Sequence, residues 1–413
     1  MSRTITVPTQ MWYQRGELRL DFPDSWEVVS CTMQGHDAAR LTPQQIETAL
    51  AQPVGSPSLR ELARGRKEAV IVFDDNSRPT RTAELVPHVL AELQAGGISE
   101  DAVSFVCALG SHGAHTYEDF CKKLGKETVD RFPVYNHNPY ENCQYVGRTS
   151  QGTELSVNAE VMRCDLKVGI GSVVPHVQTG FGGGGKIVLP GIASIDSIEG
   201  FHRIEFKARE AGRGDTIGPG RHADNPMLRD FNEAARMIGL DFKIDTIING
   251  ACEPCALFAG ENEAEFGEAL KTAVPHYATR MVPDVDVAVV NNYGKGNEAI
   301  VGLLLGIPLL MEKSGDLVLV MDCPAGQVVH YLLGSFGRSM GGRLFRPLTF
   351  QLPWLKRLIV LSPQIERSFT DWLAIPDTIW VETWAEALDI LTRDYPGGAR
   401  AAVVHDATIQ YLV

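Results

Sequence analysis

The amino-acid sequence predicts an α/β protein of two domains, each with a largely parallel sheet. Three observations support this prediction. Short runs of β-branched and other apolar residues alternate with helical patterns, which is the order of elements in parallel α/β sheets. The alternation begins again after Pro275 and Pro283, where a new strand pattern follows. The chain of 413 residues is also long enough for more than one hydrophobic core.

The first domain is predicted to contain three buried strands, at 69–73, 103–110 and 165–173. The first strand is followed by a polar loop and by an apolar-periodic helix, TAELVPHVLAELQAGG, which ends at its glycines. The second strand is followed by a helical segment, YEDFCKKLGKE. This alternation indicates a sheet covered by helices.

A second, smaller domain repeats the pattern. Its predicted strands are 285–290, 316–323, 357–362 and 378–382, and its predicted helices are 298–306, 327–337 and 384–394. The remaining segment, 399–413, is strand-like and could join either sheet. A boundary at 275–284 gives an N-terminal α/β domain at 1–280 and a C-terminal α/β domain at 281–400. Residues 401–413 form a terminal strand that could rejoin the first domain.

Charge and hydropathy argue against several classes of protein. A formal net charge of −13 disfavours a general binder of nucleic acid or anionic membranes, because both partners need positive charge to meet their phosphates. A small anionic substrate needs only a local basic pocket. The longest apolar run, 299–311, is shorter than the roughly 20 residues of a membrane-spanning helix. No secretory signal pattern follows Met1, so we expect a cytoplasmic protein.

The cysteines are scattered, as is typical of a protein whose thiols stay reduced. Cys252 and Cys255 form one C-x-x-C pair, but no second pair follows. A structural zinc site usually needs four ligands. Reduced cytoplasmic thiols are therefore the preferred interpretation over a metal site.

Three polar loops follow the predicted strands of the first domain: DDNSRPT at 74–80, SHGAH at 111–115 and VVPHVQTGFGGGGK at 173–186. In open α/β sheets, ligands bind beyond the carboxyl ends of the strands. All three loops carry residues capable of chemistry, so we expect them to converge on one site.

The third loop superficially resembles a nucleotide-binding P-loop, because Gly180 and Gly185 precede Lys186 at that spacing. A P-loop needs a hydroxyl at the next position and a helix that begins at the lysine. Here Ile187 follows, and Pro190 would interrupt a new helix. The alternative of a plain surface glycine loop explains the glycines but not the two flanking histidines, His176 and His202.

Several longer segments make the sequence resemble the lactate racemase family of nickel-pincer 2-hydroxyacid racemases. They are DDNSRP (74–79), GSH (110–112), VYNHNP (134–139), GRTSQGTELSVN (147–158), VGIGSVVPH (168–176), GFGGGGKIVLPGIASIDSIEGFH (180–202) and NPMLRDFNEAARMIGLDFKID (225–245). The glycine–lysine–histidine segment at 180–202 is the most specific of them. The resemblance covers most of the first domain and, more weakly, the second.

The resemblance implies a cofactor, a pyridinium-3,5-bisthiocarboxylate mononucleotide that binds nickel. By motif position, Lys186 would attach the cofactor covalently, and His202 would supply a nickel ligand. Neutral imidazole is a good ligand for nickel. The side-chain-free backbone from Gly182 to Gly185 would let the loop approach the bulky cofactor closely.

The resemblance also implies a reaction. A 2-hydroxy acid loses its hydroxyl proton to a histidine and its C2 hydride to the cofactor, and the 2-keto acid regains hydride on its other face. By motif position, the resemblance places the two bases on His112 and His176. Histidine suits this role because it exchanges protons near neutral pH. The cofactor- and substrate-contacting loop comprises Asp75, Asn76, Ser77 and Arg78. Enzymes that synthesise the cofactor would be required as partners.

Other interpretations of these residues remain open from the sequence alone. His112 could cap a helix, and His115 is an equally placed rival. Asp74 and Asp75 could be turn or cap residues, and His137 is interpreted as structural. At the level of function, the alternative is an inactive protein of the same fold that binds a nucleotide or a hydroxy acid.

The sequence departs from the family pattern at two positions where the substrate is expected. Gly113 follows His112, where the family usually has arginine. In the second domain the family's Tyr-Gln-x-x-Lys is replaced by Tyr293-Gly-Lys-Gly-Asn. Lys295 and Asn297 are therefore predicted to bind substrate in place of the missing side chains. The cleft between the domains is the expected active site, and a 2-hydroxy acid larger than lactate would use the extra room.

Overall fold

The protein is described by a computed structural model that covers residues 3–337, 340–346, 352–366, 375 and 377–413. Its internal contacts divide the chain into two compact units. Asp37–Pro275 forms one of them. Met1–His36 and His276–Val413 together form the other.

The strands of the described residues are, in chain order, β1 (Arg3–Thr9), β2 (Gly16–Phe22), β3 (Glu27–Cys31), β4 (Ala69–Asp74), β5 (Val103–Ala108), β6 (Val134–Asn136), β7 (Cys143–Arg148), β8 (Glu154–Asn158), β9 (Leu166–Ser172), β10 (Pro175–His176), β11 (Gly180–Phe181), β12 (Phe242–Ile248), β13 (Pro254–Gly260), β14 (Ala278–Thr279), β15 (Val287–Asn291), β16 (Gly315–Val320), β17 (Leu355–Leu361), β18 (Ile379–Val381), β19 (Arg400–Val404) and β20 (Tyr411–Leu412).

The α-helices of the same residues are α1 (Pro43–Ala51), α2 (Leu59–Ala63), α3 (Thr82–Gly96), α4 (Tyr117–Leu124), α5 (Lys126–Arg131), α6 (Ala159–Arg163), α7 (Ile195–Glu210), α8 (Pro226–Ile238), α9 (Asn262–Tyr277), α10 (Ile300–Gly306) and α11 (Trp384–Asp394). Short 3₁₀ helices lie at Glu100–Ala102, Gly184–Ile187, Gly214–Thr216 and Ile307–Leu310.

The unit Asp37–Pro275 is built on a six-stranded sheet in the order β13-β12-β9-β4-β5-β6. Neighbouring strands are parallel, except that β13 pairs antiparallel with β12. Every residue of β4, β9 and β12 is buried, which is typical of parallel strands covered on both faces. Ile71, Phe73 and Phe105 belong to a core cluster on one face, together with residues of α1 to α4.

The other unit contains a second six-stranded sheet, in the order β18-β17-β16-β15-β19-β3, and all of its pairs are parallel. Successive residues of β15 belong to two separate clusters, because side chains alternate between the faces of a sheet. Ala288 and Val290 pack with α10, and Val287 and Val289 pack with the β1–β2 hairpin and α11.

The predicted fold class, α/β with largely parallel sheets, is confirmed by these two sheets. All of the strands and most of the helices predicted from hydrophobic pattern are present. The predicted helix at 327–337 is wrong, because this segment forms turns. The ring of His330 accepts the amides of Leu332 and Leu333 at 3.3 and 2.9 Å, and such local bonds compete with a helix.

The domain boundaries differ from those predicted at 1–280, 281–400 and 401–413. One crossing between the units lies between Pro275 and His276, but the first 36 residues also join the C-terminal unit. The reason is strand pairing: β3 runs parallel to β19, with Glu27 opposite Arg400 and Cys31 opposite Val404. The start of the predicted terminal segment, β19, therefore lies inside the second sheet, and its end, β20, pairs with β14. Within the described residues, no helix is long and apolar enough to cross a membrane.

A buried ion pair in the second unit allows a test of this packing. Asp316 is fully buried, and it accepts two hydrogen bonds from Arg357 at 2.7 and 2.8 Å and one from the Tyr395 hydroxyl at 2.8 Å. We expect Asp316→Ala to lower the free energy of unfolding by about 3 kcal/mol, because it leaves the guanidinium without its buried partner. Asp389→Ala removes an exposed pair with Arg393 and should cost less than about 0.5 kcal/mol. Equal losses in urea denaturation would contradict this assignment.

Candidate active site

Six predicted site residues of the unit Asp37–Pro275 lie beyond the carboxyl ends of three adjacent strands. Asp75 to Arg78 follow β4, His112 follows β5, and His176 follows β9. Because β5, β4 and β9 are neighbours in the sheet, their loops meet at one edge. The predicted convergence of the polar loops thus has a structural basis in the strand order.

A direct contact joins two of these loops. His112 Nδ1 lies 2.6 Å from Asp75 Oδ2, and both side chains are almost fully buried. The other carboxylate oxygen of Asp75 accepts the backbone N–H and the hydroxyl of Ser77, at 3.0 and 2.5 Å. The pair therefore has the geometry of a carboxylate that orients an imidazole.

The charge state of Asp75 follows from its surroundings. Burial opposes its ionisation, but His112, His115 and Arg78 outweigh burial and hold the pKa of Asp75 well below its usual value. An ionised carboxylate can only accept hydrogen bonds. The proton between the two groups accordingly lies on His112 Nδ1, and the lone pair of a neutral His112 lies on Nε2.

A buried lysine holds the loop that carries Asp75. Lys123 Nζ contacts a carboxylate oxygen of Asp74 at 2.7 Å and donates to the carbonyls of Asp75 and Arg78 at 2.9 and 2.8 Å. The sequence analysis missed Lys123. Its burial could have been inferred from the helical spacing. Lys123 comes three residues after Phe120 and one before Leu124, and this spacing puts all three on the buried face of α4.

His115, the rival of His112, takes a different place. Its Nε2 accepts the backbone N–H of Asn76 at 3.0 Å, and its own backbone N–H donates to Asn136. Burial lowers the pKa of His115, which favours the neutral ring. His115 therefore stabilises the loop of Asn76, whereas His112 pairs with the carboxylate.

His137 is bonded at both ring nitrogens. Nε2 donates to the Ala193 carbonyl at 2.9 Å, and Nδ1 is 3.2 Å from the Asn158 side-chain nitrogen. Burial lowers its pKa to about 4. This arrangement agrees with the structural interpretation of His137.

Arg78 is half-buried beside this pair. Its Nη1 donates to the carbonyl and the hydroxyl of Ser77, at 2.8 and 2.9 Å. Its backbone N–H donates to the Asp75 carbonyl, which closes a tight turn. The same turn thus carries a carboxylate, a hydroxyl and a guanidinium.

His176 is the last residue of β10, and the turn that leads to β11 follows it. Its Nδ1 accepts the backbone N–H groups of Gln178 and Thr179, at 3.2 and 3.3 Å. The side chain of Gln178 donates to Glu205 of α7 at 2.5 Å. The Asn225 side chain donates to the Gln178 carbonyl at 2.9 Å, so the turn is held from two further elements.

Lys186 and His202 lie close enough to interact. His202, on α7, is 7% exposed, and its Nδ1 donates to the Ile198 carbonyl at 2.8 Å. Burial lowers the pKa of His202 to about 4, and the charges of Lys186 and His112 act in the same direction. His202 is therefore neutral near pH 7, with its Nε2 lone pair as the group that can bind a metal.

The glycine loop is not the opening of a helix that a P-loop requires, because Gly184–Ile187 is a single 3₁₀ turn. The interpretation that its glycines leave room for a cofactor is wrong for three of the four. A Cβ at Gly183, Gly184 or Gly185 would lie within 3 Å of Val173, Phe266 or Phe231. These glycines let the loop pack tightly against the protein. At Gly182 the nearest atom would be 3.7 Å away.

Three charged side chains beneath the loop were also missed. Lys243, Asp245 and Glu265 are fully buried. Asp245 accepts the Gly184 N–H at 2.6 Å and pairs with Lys243 at 2.6 Å. Burial, together with the charge of Asp245, raises the pKa of Glu265 well above its usual value. A single sequence offers no indication that these positions are buried, since each residue type is normally exposed.

Lys295 and Asn297 belong to the other unit, beyond the carboxyl end of β15. The backbone N–H of Lys295 donates to the Thr408 hydroxyl at 3.0 Å, and Lys295 is 1% exposed. The buried carboxylate of Asp406 accepts the amides of Tyr293 and Gly294. This turn is thus held by side chains from the end of the chain.

The described residues contain no group of three or more His, Cys, Asp or Glu side chains that could hold a metal ion. Cys252 and Cys255 do not form a disulfide with each other. A metal at His202 would need most of its ligands from another molecule.

Comparison with known proteins gives consistent results. Residues 13–214 match the lactate racemase N-terminal domain, and this range includes His112, His176, Lys186 and His202. The lactate racemase of Thermoanaerobacterium thermosaccharolyticum is 27% identical over 323 residues, which cover 76% of this chain and 74% of that protein. The lactate racemase of Lactiplantibacillus plantarum is 30% identical over 259 residues, which cover 62% of this chain and only 59% of that protein.

Two solved structures share the fold. The lactate racemase apoprotein from Thermoanaerobacterium thermosaccharolyticum superposes with a TM-score of 0.74 at 21% identity, over 100% of both chains. A protein from Thermotoga maritima gives a TM-score of 0.67 at 19% identity, over 91% of this chain and 99% of that one. At these identities the likeness concerns the fold.

The packing of the glycine loop can be tested with a matched pair of variants. We expect Gly185→Ala to destabilise the protein by about 1–3 kcal/mol, because the new Cβ would lie 2.3 Å from the Phe231 carbonyl oxygen. Gly182→Ala should change stability by less than about 0.5 kcal/mol. Thermal denaturation followed by circular dichroism measures both. Similar melting temperatures for the two variants would contradict the packing argument.

The burial of His202 predicts a dependence of stability on pH. Its folded pKa of about 4 lies below the unfolded value of 6.5, so its contribution is full above pH 6.5 and is lost as pH falls through 4. At pH 5 the free energy of unfolding of the apoprotein should be lower by about 2 kcal/mol than at neutral pH, because the unfolded chain binds a proton at His202 and the folded protein does not. Urea denaturation at pH 7.5 and 5 should show a smaller loss for His202→Gln than for the wild type. Equal losses would show that His202 is not desolvated.

Proposed function

Because the chain belongs to the lactate racemase family, we propose that it is a racemase or epimerase of a 2-hydroxy acid. It acts by hydride transfer to a nickel-pincer nucleotide attached to Lys186, through a 2-keto acid intermediate. The observation that carries this proposal is that Lys186 and His112 both lie within electrostatic range of the buried His202 and act on its pKa. An amine for attachment, a metal ligand and a proton acceptor are the three groups that this chemistry needs.

The residues present fit the proposed cofactor. His202 is neutral at physiological pH, and its Nδ1 bond to Ile198 orients the ring so that Nε2 is the nitrogen that would bind the metal. A single imidazole would hold nickel only weakly. A cofactor that brings its own sulfur and carbon ligands therefore suits a site without a cluster of protein ligands among the described residues. The Lys186 loop is held in place by Asp245 through the Gly184 amide.

When bound, the cofactor would supply the acceptance and return of hydride at C2 of the substrate. The protein supplies the proton transfer and the orientation. His112 Nε2 accepts the substrate hydroxyl proton, and the ionised Asp75 stabilises the imidazolium that results. His176 is the proposed base for the opposite hand, that is, the other enantiomer, of the substrate. Arg78 is the proposed anchor for the carboxylate, because a guanidinium can donate to two oxygens at once.

Lys295 and Asn297 are proposed as further substrate contacts. Lys295 sits in a turn fixed by Asp406 and Thr408, which is a suitable support for a cation that binds a carboxylate. Gly113 stands where the family usually has the larger arginine, so a 2-hydroxy acid of lactate size or larger is proposed.

An inactive binding protein of this fold is the less favoured alternative. Binding alone does not require a buried carboxylate that orients an imidazole, and such a pair costs desolvation energy. Dependence on cofactor-synthesis enzymes and a cytoplasmic location remain predictions.

Attachment of the cofactor is the decisive measurement. We expect protein produced together with the cofactor-synthesis enzymes to carry one added cofactor mass, and Lys186→Arg to lack it, because a guanidinium cannot form the thioamide. Lys271→Arg, which changes an exposed lysine, is the matched control and should keep the added mass. Intact-mass spectrometry measures all three.

The same preparations test the reaction. The wild type and Lys271→Arg should interconvert the two hands of at least one member of a 2-hydroxy acid panel, measured by chiral chromatography. Lys186→Arg should not. Wild-type protein that carries the cofactor mass but racemises none of the panel would favour the inactive binding protein.

A further inference from the structure

The two proposed bases, His112 and His176, are held by opposite kinds of hydrogen bond. His112 Nδ1 faces the Asp75 carboxylate at 2.6 Å. His176 Nδ1 faces two backbone N–H groups, those of Gln178 and Thr179, at 3.2 and 3.3 Å. A carboxylate accepts hydrogen bonds and a backbone N–H donates them, so the two rings carry their protons on different nitrogens.

In a neutral His112 the proton lies on Nδ1. Asp75 is ionised, and its second oxygen is already occupied by the N–H and hydroxyl of Ser77. His112 therefore keeps its lone pair on Nε2, which makes Nε2 a proton acceptor.

In a neutral His176 the proton lies on Nε2. A proton on Nδ1 would point at two N–H groups and would cost both hydrogen bonds. The turn that presents these amides is reinforced by the Gln178–Glu205 bond and by Asn225. His176 thus keeps Nε2 as a proton donor for as long as this turn is intact.

We propose that the two histidines are not interchangeable, and that only the substrate hand whose hydroxyl faces His112 is deprotonated without a prior change at His176. This inference rests on the proposed function. It assigns Asp75 and the Gln178–Thr179 turn as positioning groups that set a preferred direction for the first turnover.

The steps balance as follows for the favoured hand. The substrate O–H bond breaks, its proton forms a bond to His112 Nε2, and its electron pair becomes the second C–O bond of the 2-keto acid. The C2–H pair leaves as hydride to the acceptor of the proposed cofactor, so the substrate is oxidised as the acceptor is reduced. For the other hand, His176 must first move its proton from Nε2 to Nδ1 and break the two amide contacts.

This asymmetry has a specific kinetic form. At equilibrium a racemase yields equal amounts of both hands, so kcat/KM must be equal for the two directions. The difference between the histidines therefore appears in the first-turnover rate, and in kcat and KM separately.

The first experiment measures the proton positions directly in apoprotein, which needs no cofactor. Protein labelled with ¹⁵N-histidine is examined by NMR at neutral pH, with His112→Gln and His176→Gln used to identify the signals. We expect His112 to be protonated at Nδ1 and His176 at Nε2. The same tautomer at both histidines would overturn the proposal.

The Asp75→Asn variant tests the cause. Ser77 donates to one oxygen of Asp75, so the asparagine should keep its oxygen there and turn its NH₂ toward His112 Nδ1. His112 should then change to the Nε2–H tautomer, while His176 stays unchanged. Asp130→Asn, which alters an exposed pair with Lys126, is the control and should leave both tautomers as they are. If His112 kept the Nδ1–H tautomer in Asp75→Asn, Asp75 would not be the group that sets the tautomer of His112.

The second experiment measures one turnover of the cofactor-loaded protein with each hand of a substrate that it racemises. We expect 2-keto acid to form at least about 10-fold faster from one hand, and Asp75→Asn to slow that hand by about 10³-fold or more. Equal first-turnover rates would refute the asymmetry but leave the proposed function intact. Loaded protein that forms no 2-keto acid from any tested substrate, although the tautomers are as expected, would instead refute the proposed function.

Discussion

The arrangement of the site depends on the contacts of Lys123, whose side chain has no exposure to solvent. Its ammonium pairs with Asp74 and also binds the carbonyls of Asp75 and Arg78, so one charge fixes both ends of the loop after β4. A buried ammonium is costly unless its donors are matched by acceptors. The loop therefore cannot move without exposing an unpaired charge, and Asp75 is presented to His112 in one geometry. Stability and function are linked at this lysine.

The glycine loop follows the same principle on the other side of β9. Asp245 binds the Gly184 amide and the buried Lys243, and the glycines allow the backbone to approach α8 and α9. The loop that presents Lys186 is thus a packed element, held by a buried charge pair from β12. Both functional loops are supported from beneath by buried lysine–carboxylate pairs, one at the carboxyl end of β4 and the other within β12. Such rigid support is what a site needs if it must hold its groups within a narrow range of positions.

Sequence pattern predicted most elements of both sheets, because fully buried parallel strands are short continuous apolar runs that are hard to mistake. It failed at 327–337, where the ring of His330 bonds to nearby amides instead of allowing a helix. It also failed to foresee that β3 joins β19. The two strands are separated by most of the chain, and the sequence of neither strand indicates which strand it pairs with. Pairing over such distances depends on how the whole sheet assembles.

The sequence by itself determined which residues are candidates for the chemistry: the resemblance of its motifs to those of the family assigns His112, His176, Lys186 and His202. Only the tertiary structure decided what each can do. It paired His112 with Asp75 and bonded His115 to the amide of Asn76, and so separated two histidines that the sequence left equal. It also gave His112 and His176 different protonated nitrogens. The physical reason is that the proton on an imidazole is placed by the group facing its other nitrogen, and that group belongs to another part of the fold.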